Sequence, residues 1–208
     1  RMKAALGSKL LINNIITNIY INIANLFIGK YYSPASLAFY NRGFSISQLP
    51  STNIESVLQR IIYPLTCEVQ NDRERLVQTY YKYLHFSHFI ILPLMTLLCV
   101  LSVPLVNVLL TDKWLPAAEY VSLFSINFMF YSWTDQSGSV TNAVGRSDLN
   151  LRGTFIKRPL AFAMLFVALG ISIRAICIAT ILSSFVELIV NMHYTNKVVN
   201  ITYLQQFK

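Results

Sequence analysis

The stretch that decides the fold is Tyr83–Thr111, YLHFSHFIILPLMTLLCVLSVPLVNVLLT, which runs for 29 residues without a lysine, arginine, aspartate or glutamate. A helix needs roughly 20 mostly apolar residues to cross the ~30 Å hydrocarbon core of a bilayer. A soluble helix of ordinary length has no use for so long an uncharged run. This stretch therefore predicts a membrane-spanning helix.

The rest of the chain has the same character. Of its 208 residues, 54% are hydrophobic and 12% are charged, whereas soluble domains carry about 25% charged residues. This composition excludes a soluble domain and a disordered chain. The uncharged runs predict about six spans, near residues 10–29, 43–64, 84–109, 117–138, 154–171 and 174–195. We expect an all-α, polytopic transmembrane helix bundle.

The basic residues are distributed unequally between the two sides of these spans. Four lie on one side, at Lys30, Arg42, Lys113 and Arg174. Twelve lie on the other, at Arg1, Lys3, Lys9, Arg73, Arg75, Lys82, Arg146, Arg152, Lys157, Arg158, Lys197 and Lys208. Because basic segments stay in the cytoplasm, this asymmetry places both chain ends there. The net charge of +8 then reflects topology and contact with membrane lipid, and we expect no nucleic-acid partner.

The sequence offers little chemistry beyond its apolar spans. It has no glycine-rich phosphate loop, nucleophile elbow or paired carboxylates, so nothing in it favours an enzyme or a cofactor. His85 and His88 lack a third ligand, so we expect no metal site. The chain opens on Arg1 without a leader segment. We therefore expect it to be a piece of a longer protein.

Span one carries a row of asparagines at Asn14, Asn18, Asn22 and Asn25. At 100° per residue these four side chains fall within an arc of about 80°. An unpaired amide is costly in hydrocarbon, so this face meets water or other helices. Two interpretations stay open, namely the wall of a polar cavity and hydrogen bonding between helices.

Span two adds positive charge to a polar face. Arg42 and Arg60 are eighteen residues apart, which is five helical turns, and Asn53 lies about 20° from them. A guanidinium facing a cavity at membrane depth suits a phosphate, whose geometry its planar fork matches. The alternative is that each arginine reaches its own membrane surface.

Glu55, on the same span, lies about 140° from the arginine face. It is either a group that couples transport to a proton or sodium ion, or a partner for another helix. Asp135 and Glu187 are weaker candidates for the same role. The sequence does not decide whether any of the three titrates in function.

Short motifs connect the chain to a known family. They occur in order at Gly29-Lys30, Leu37–Gly43 (LAFYNRG), Gln48-Leu49-Pro50, Tyr63-Pro64, Gln70–Leu76 (QNDRERL), Tyr80, Pro93-Leu94-Met95, Leu110–Trp114 (LTDKW) and Gly145–Leu149 (GRSDL). The chain resembles the Wzx-type, lipopolysaccharide-biosynthesis branch of the multidrug/oligosaccharidyl-lipid/polysaccharide exporter superfamily. The resemblance extends over nearly the whole chain.

The resemblance implies a two-lobed, alternating-access transporter of the bacterial inner membrane. Its substrate would be an oligosaccharide linked to undecaprenyl pyrophosphate, used to build surface polysaccharide or lipopolysaccharide. Residues 1–208 would form a single lobe, the second, and its partner would be the missing N-terminal lobe. Cavity-lining cations receive the pyrophosphate in this superfamily, which points to Arg60 and Arg42. The asparagines Asn14, Asn18, Asn22, Asn25 and Asn53 would then bind sugar hydroxyls.

Two other functions remain open. One is a small-molecule, multidrug-type exporter of the same superfamily, which would present carboxylates and aromatic rings to its cavity. The other is a membrane-embedded polysaccharide polymerase or acyltransferase, which would carry a sizeable loop or a buried His/Asp pair. Arginine and amides on the predicted cavity face favour the anionic lipid.

Overall fold

The computed structural model describes residues 15, 18, 19 and 22–199. In this part of the chain every regular element is a helix. The helices are α1 (residues 22–31), α2 (Pro34–Glu68), α3 (Arg73–Val100), α4 (Ser102–Leu110), α5 (Pro116–Ala143), α6 (Ser147–Leu169) and α7 (Ile173–Val199), with a 3-10 turn at Asp112–Trp114 between α4 and α5. The predicted spans 43–64, 117–138 and 174–195 lie within α2, α5 and α7, and span 154–171 begins within α6 and ends just after it.

The helix boundaries follow from local sequence. Ser33 caps α2, since its hydroxyl accepts a hydrogen bond from the Ser36 N–H at 3.0 Å, and Pro34 occupies the first turn. Asp72 caps α3 in the same way through the Arg75 N–H, at 3.2 Å. Gly145 adopts φ +79° where the chain turns from α5 into α6, a conformation that suits glycine.

The predicted span 84–109 differs from the structure in one respect. It forms two helices rather than one, because α3 ends at Val100 and α4 begins at Ser102. Pro104 explains the break: proline has no N–H to donate, and its ring clashes with the carbonyl four residues earlier, that of Val100. By contrast, α2 continues as a helix through Pro50 and Pro64.

Helix α5 forms the centre of the bundle and packs against α2, α3 and α7. The main core combines buried side chains from α1 to α7, among them Ile28, Met95, Phe124 and Leu165. Many outward-facing side chains are apolar as well: Phe89 is 80% exposed and Val108 is 84% exposed. Such a surface is unfavourable in water and suits a lipid environment.

Two helices, Arg73–Val100 and Ile173–Lys197, are long and apolar enough to cross a membrane by length and composition. Helix α2 has 35 residues, about 52 Å of rise, and so exceeds the ~30 Å hydrocarbon thickness. The chain is an all-α membrane helix bundle. The number of crossings and their orientation stay predictions.

The closest approach of α2 to α5 is made by small residues. A Cβ atom placed on Gly43 would lie 2.5 Å from Tyr120 Cβ, so only glycine fits there. One turn later the Ser47 hydroxyl donates to the Val121 carbonyl at 2.9 Å, and Ser51 is buried one turn further on. Small residues every fourth position are typical of close helix contact in membranes. This stripe leads directly to Glu55.

Candidate functional site

The first candidate surface is the exposed polar face of α2, formed by Asn53, Ser56 and Arg60. Asn53 donates its amide N–H to the Leu49 carbonyl at 2.7 Å, and the Ser56 hydroxyl donates to the Asn53 carbonyl at 2.8 Å. Neither bond uses the side-chain oxygen of Asn53. Within the described residues no acid pairs with Arg60. The face therefore presents a guanidinium, an amide and a hydroxyl to whatever adjoins the bundle.

Arg42 lies in a different environment. Its guanidinium lies over the Trp114 ring, 5.1 Å from the centroid, and the Phe39 ring meets Trp114 edge-on at 5.7 Å. Tryptophan and arginine together are typical of a membrane–water interface. Arg42 and Arg60 are separated by about 27 Å of helix rise. The structure thus keeps the two arginines in separate places, and the position of Arg42 fits the interfacial alternative.

The asparagine row on the first helix divides in two. Asn14 lies outside the described residues. Asn18 and Asn22 are exposed, and the Asn22 amide donates to the Asn18 carbonyl at 2.8 Å. Asn25 is half-buried and lines a cavity of about 150 Å³ shared with Tyr40 and other residues of α2, α5, α6 and α7. Among the described asparagines of this row, Asn18 and Asn22 are the exposed ones.

The second candidate feature is a buried carboxylate centre, made of Glu55, Tyr83, Ser87, Ser132 and Gln136. Glu55 is only 3% exposed. It accepts hydrogen bonds from the Tyr83 hydroxyl at 3.0 Å, the Ser87 hydroxyl at 2.8 Å, the Ser132 hydroxyl, and the Gln136 amide at 3.0 Å. The donors come from α3 and α5. The four donors satisfy the hydrogen-bonding capacity of the buried carboxylate. Through them Glu55 links α2 to α3 and α5.

A second polar contact links α2 to α5 beside this centre. The Gln59 amide donates a hydrogen bond to the Asp135 carboxylate. Glu55, Gln59 and Arg60 are thus close in sequence but have different surroundings. The two carboxylates of this region bond to protein donors, whereas Arg60 faces outward.

An ion pair between α6 and α7 forms the third polar cluster. Lys157 Nζ lies 2.7 Å from Glu187 Oε1 and donates to the Asn191 amide oxygen at 3.1 Å. Arg158 Nη2 lies 3.6 Å from the same Glu187 oxygen. Asn191 in turn donates to the Thr134 carbonyl of α5 at 3.2 Å. Glu187 therefore balances buried cations.

Lys157 and Arg158 are among the twelve basic residues that the sequence assigns to the cytoplasmic side. In the structure Lys157 is buried and Arg158 is half-buried between helices. The asymmetry of basic residues stands without them. The sequence contains a signal for this burial in Glu187. An acid deep in an apolar span requires a cationic partner at similar depth.

The described residues contain no group of three or more histidine, cysteine, aspartate or glutamate side chains that could hold a metal ion. His88 instead packs against the Trp133 ring, with the centroids 4.6 Å apart. Its Nδ1 lies 2.7 Å from the Leu84 carbonyl.

Comparison with known proteins gives two relatives. An uncharacterized membrane protein in the cps region of Klebsiella pneumoniae is 24% identical over 148 residues, which are 71% of this chain and 30% of that protein. Lipopolysaccharide biosynthesis protein WzxC of Escherichia coli strain K12 is 23% identical over 189 residues, 86% of this chain and 38% of that protein. The chain thus spans about a third of the length of these curated relatives. No solved structure matches it.

The family described as polysaccharide biosynthesis protein matches residues 3–119, which is more than half of the chain. The matched segment includes α2, α3 and α4, and with them Arg42, Glu55 and Arg60. The resemblance seen in the motifs is confirmed. This membrane protein belongs to the polysaccharide biosynthesis protein family.

Proposed function

We propose that the protein containing this chain is a transporter, not an enzyme, and that it moves an undecaprenyl-pyrophosphate-linked oligosaccharide across the bacterial inner membrane. In this proposal the chain is a multi-pass lobe that works with an N-terminal partner lobe. The support is a family named for polysaccharide biosynthesis and a relative named for lipopolysaccharide biosynthesis. The exposed polar face of α2 adds a physical reason.

Arg60 is the observation that carries the proposal. It is exposed on a helix whose other outward residues include Val57 (57% exposed) and Ile61 (63% exposed). An arginine among apolar side chains at membrane depth is costly unless it faces a cavity or an anion. A pyrophosphate would supply that anion, with two charge-assisted hydrogen bonds to the guanidinium fork.

We assign the remaining polar residues to the same path. Asn53, Asn18 and Asn22 would exchange hydrogen bonds with sugar hydroxyls, and Asn14 and Asn25 would extend that surface. Arg42 would provide a second cationic contact near the opposite membrane surface. Sugar hydroxyls both donate and accept, which is the pattern an amide matches.

Export of the glycan in cells tests the role of Arg60. With full-length protein at normal levels, Arg60→Ala should reduce export by about tenfold or more, since a charge-assisted bidentate contact contributes about 1.5–3 kcal/mol. Arg60→Lys should retain part of the activity, because it keeps the charge and loses the fork. Lys113→Ala is the matched control and should export normally. Normal export by Arg60→Ala would refute the assignment.

We further propose that Glu55 couples transport to a cation gradient, with H⁺ or Na⁺ as the coupling ion. Its burial and its position between α2, α3 and α5 support a role in which protonation or ion binding changes how these helices pack. Glu55→Gln should leave the protein folded and make export independent of both gradients. Export by the unaltered protein after selective collapse of each gradient distinguishes the two ions. Export by Glu55→Gln that still follows either gradient would refute the role.

A further inference from the structure

An apolar groove of about 580 Å³ lies on the outside of the bundle between α2 and α3. We call it the α2–α3 groove. Its walls are Leu58 and Ile62 from α2 and Tyr83, Phe86 and Phe89 from α3. The groove is separate from the polar face of α2, because Arg60 lies about 160° around the helix from Ile62 and from Leu58. It plays no part in the proposed transport path.

The groove has a cationic end. Lys82 and His85 complete its lining, both are exposed, and Phe89 lies about 10 Å further along α3 than Lys82. Within the described residues Lys82 makes no ion pair. The predicted topology places this end at the cytoplasmic surface of the membrane. The groove therefore presents an unpaired ammonium at the surface and apolar walls deeper in.

We propose that the α2–α3 groove binds an anionic phospholipid of the cytoplasmic leaflet. One acyl chain would lie along Phe86 and Phe89, and the phosphate would lie at Lys82 and His85. The charge of the groove favours an anionic headgroup over a zwitterionic one. Its volume is in the range of pockets that hold a single small ligand, which suits one chain.

A lipid in this groove contacts the buried carboxylate centre. Tyr83 forms part of the groove wall, and its hydroxyl donates to Glu55 at 3.0 Å. The bound chain would cover the outer side of the junction between α2 and α3. It would therefore favour the arrangement in which Tyr83 and Glu55 remain hydrogen-bonded.

Fluorescence quenching by brominated lipids tests the proposal in the full-length protein. Trp114 and Trp133 are first replaced by phenylalanine, together with any tryptophans elsewhere in the protein. Phe86→Trp then reports on the groove, and Phe166→Trp, on the outer part of α6, is the matched control. The protein is reconstituted in phosphatidylcholine vesicles containing brominated phosphatidylglycerol or brominated phosphatidylcholine. Circular dichroism verifies the fold of each variant.

The tryptophan of the Phe86→Trp variant should be quenched by phosphatidylglycerol in preference to phosphatidylcholine by about fivefold, the effect of one lysine near an anionic surface. The Phe166→Trp control should show no preference. Adding Lys82→Ala should abolish the preference, whereas Lys82→Arg should keep it. An equal preference with and without Lys82 would overturn the proposal. Displacement of the brominated lipid by equimolar undecaprenyl phosphate would overturn it too, because the occupant would then be a polyprenyl carrier.

Discussion

The two sides of α2 use polar side chains in opposite ways. On the inner side, Ser47 and Glu55 are buried and hydrogen-bonded to α5 or α3. On the outer side, Asn53 and Ser56 bond only to the backbone of their own helix, and Arg60 forms no ion pair with the described residues. Both sides are polar. On the inner side Ser47 and Glu55 find their partners within the bundle, whereas the buried Ser51 hydroxyl has no hydrogen-bond partner among the described residues.

This difference distinguishes polar side chains that hold helices together from polar side chains that are available to bind a substrate. Polar groups in a bilayer need partners, and Ser47 and Glu55 on the inner side find them in neighbouring helices. The outer side has to find them in water, a substrate or another part of the protein. A single helix can thus hold the bundle together with one side and present a binding surface with the other. If it does, substitutions on its two sides should have different effects.

Loss of the inner carboxylate should give the largest effect on stability. Glu55→Ala removes the acceptor of four hydrogen bonds and leaves buried donors unpaired, so we expect the free energy of unfolding to fall by about 3 kcal/mol. Asn53→Ala, on the outer side, should change it by less than about 0.5 kcal/mol. Reversible unfolding in mixed detergent micelles measures both. Equal losses would show that the two sides do not differ in this way.

The sequence predicted the helices better than it predicted their packing. Long uncharged runs predicted where the helices lie, because the bilayer sets a length and a composition that any spanning helix has to meet. The break at Leu101 depends on Pro104, and proline acts differently in α2, where the helix continues through Pro50. Whether neighbouring groups compensate for a proline is a tertiary property.

The polar face of α2 that the sequence predicts is exposed at Asn53, Ser56 and Arg60, and its role as a cavity wall stays a prediction. Ile61 lies about 100° from Arg60 around the helix and is 63% exposed, because α5 packs on the stripe of small residues through Gly43 and Ser47. The partners of Glu55 carried a detectable signal. They form two pairs of polar residues, each four positions apart in an apolar helix: Ser132 and Gln136, and Tyr83 and Ser87. A one-dimensional pattern shows such pairs but not which helices they join.

Close packing of the inner side gives the next largest effect. Gly43→Ala places a Cβ atom 2.5 Å from Tyr120 Cβ and 3.0 Å from the α5 backbone, so α2 and α5 have to separate. We expect a loss of about 1–3 kcal/mol in the free energy of unfolding. Gly170→Ala is the matched control, because the nearest atom to its Cβ, the Val167 carbonyl oxygen, is 3.8 Å away. If both variants lose the same stability, close approach is not what Gly43 provides.

Accessibility to water gives the smallest perturbation and the most direct test of the outer side. Single cysteines at Asn18, Asn22, Asn53 and Ser56, in a cysteine-free full-length protein, should each change stability by less than about 0.5 kcal/mol. Because this surface is proposed to line an aqueous path, all four should react with a membrane-impermeant thiol reagent. Leu97 is 56% exposed on the apolar helix α3, so a cysteine there should not react if its surroundings are lipid. Reaction at Leu97 and not at the four polar positions would mean that the outer side of α2 is covered by another helix. Arg60 would then have its partner in the remainder of the protein, and the pyrophosphate would have to bind elsewhere.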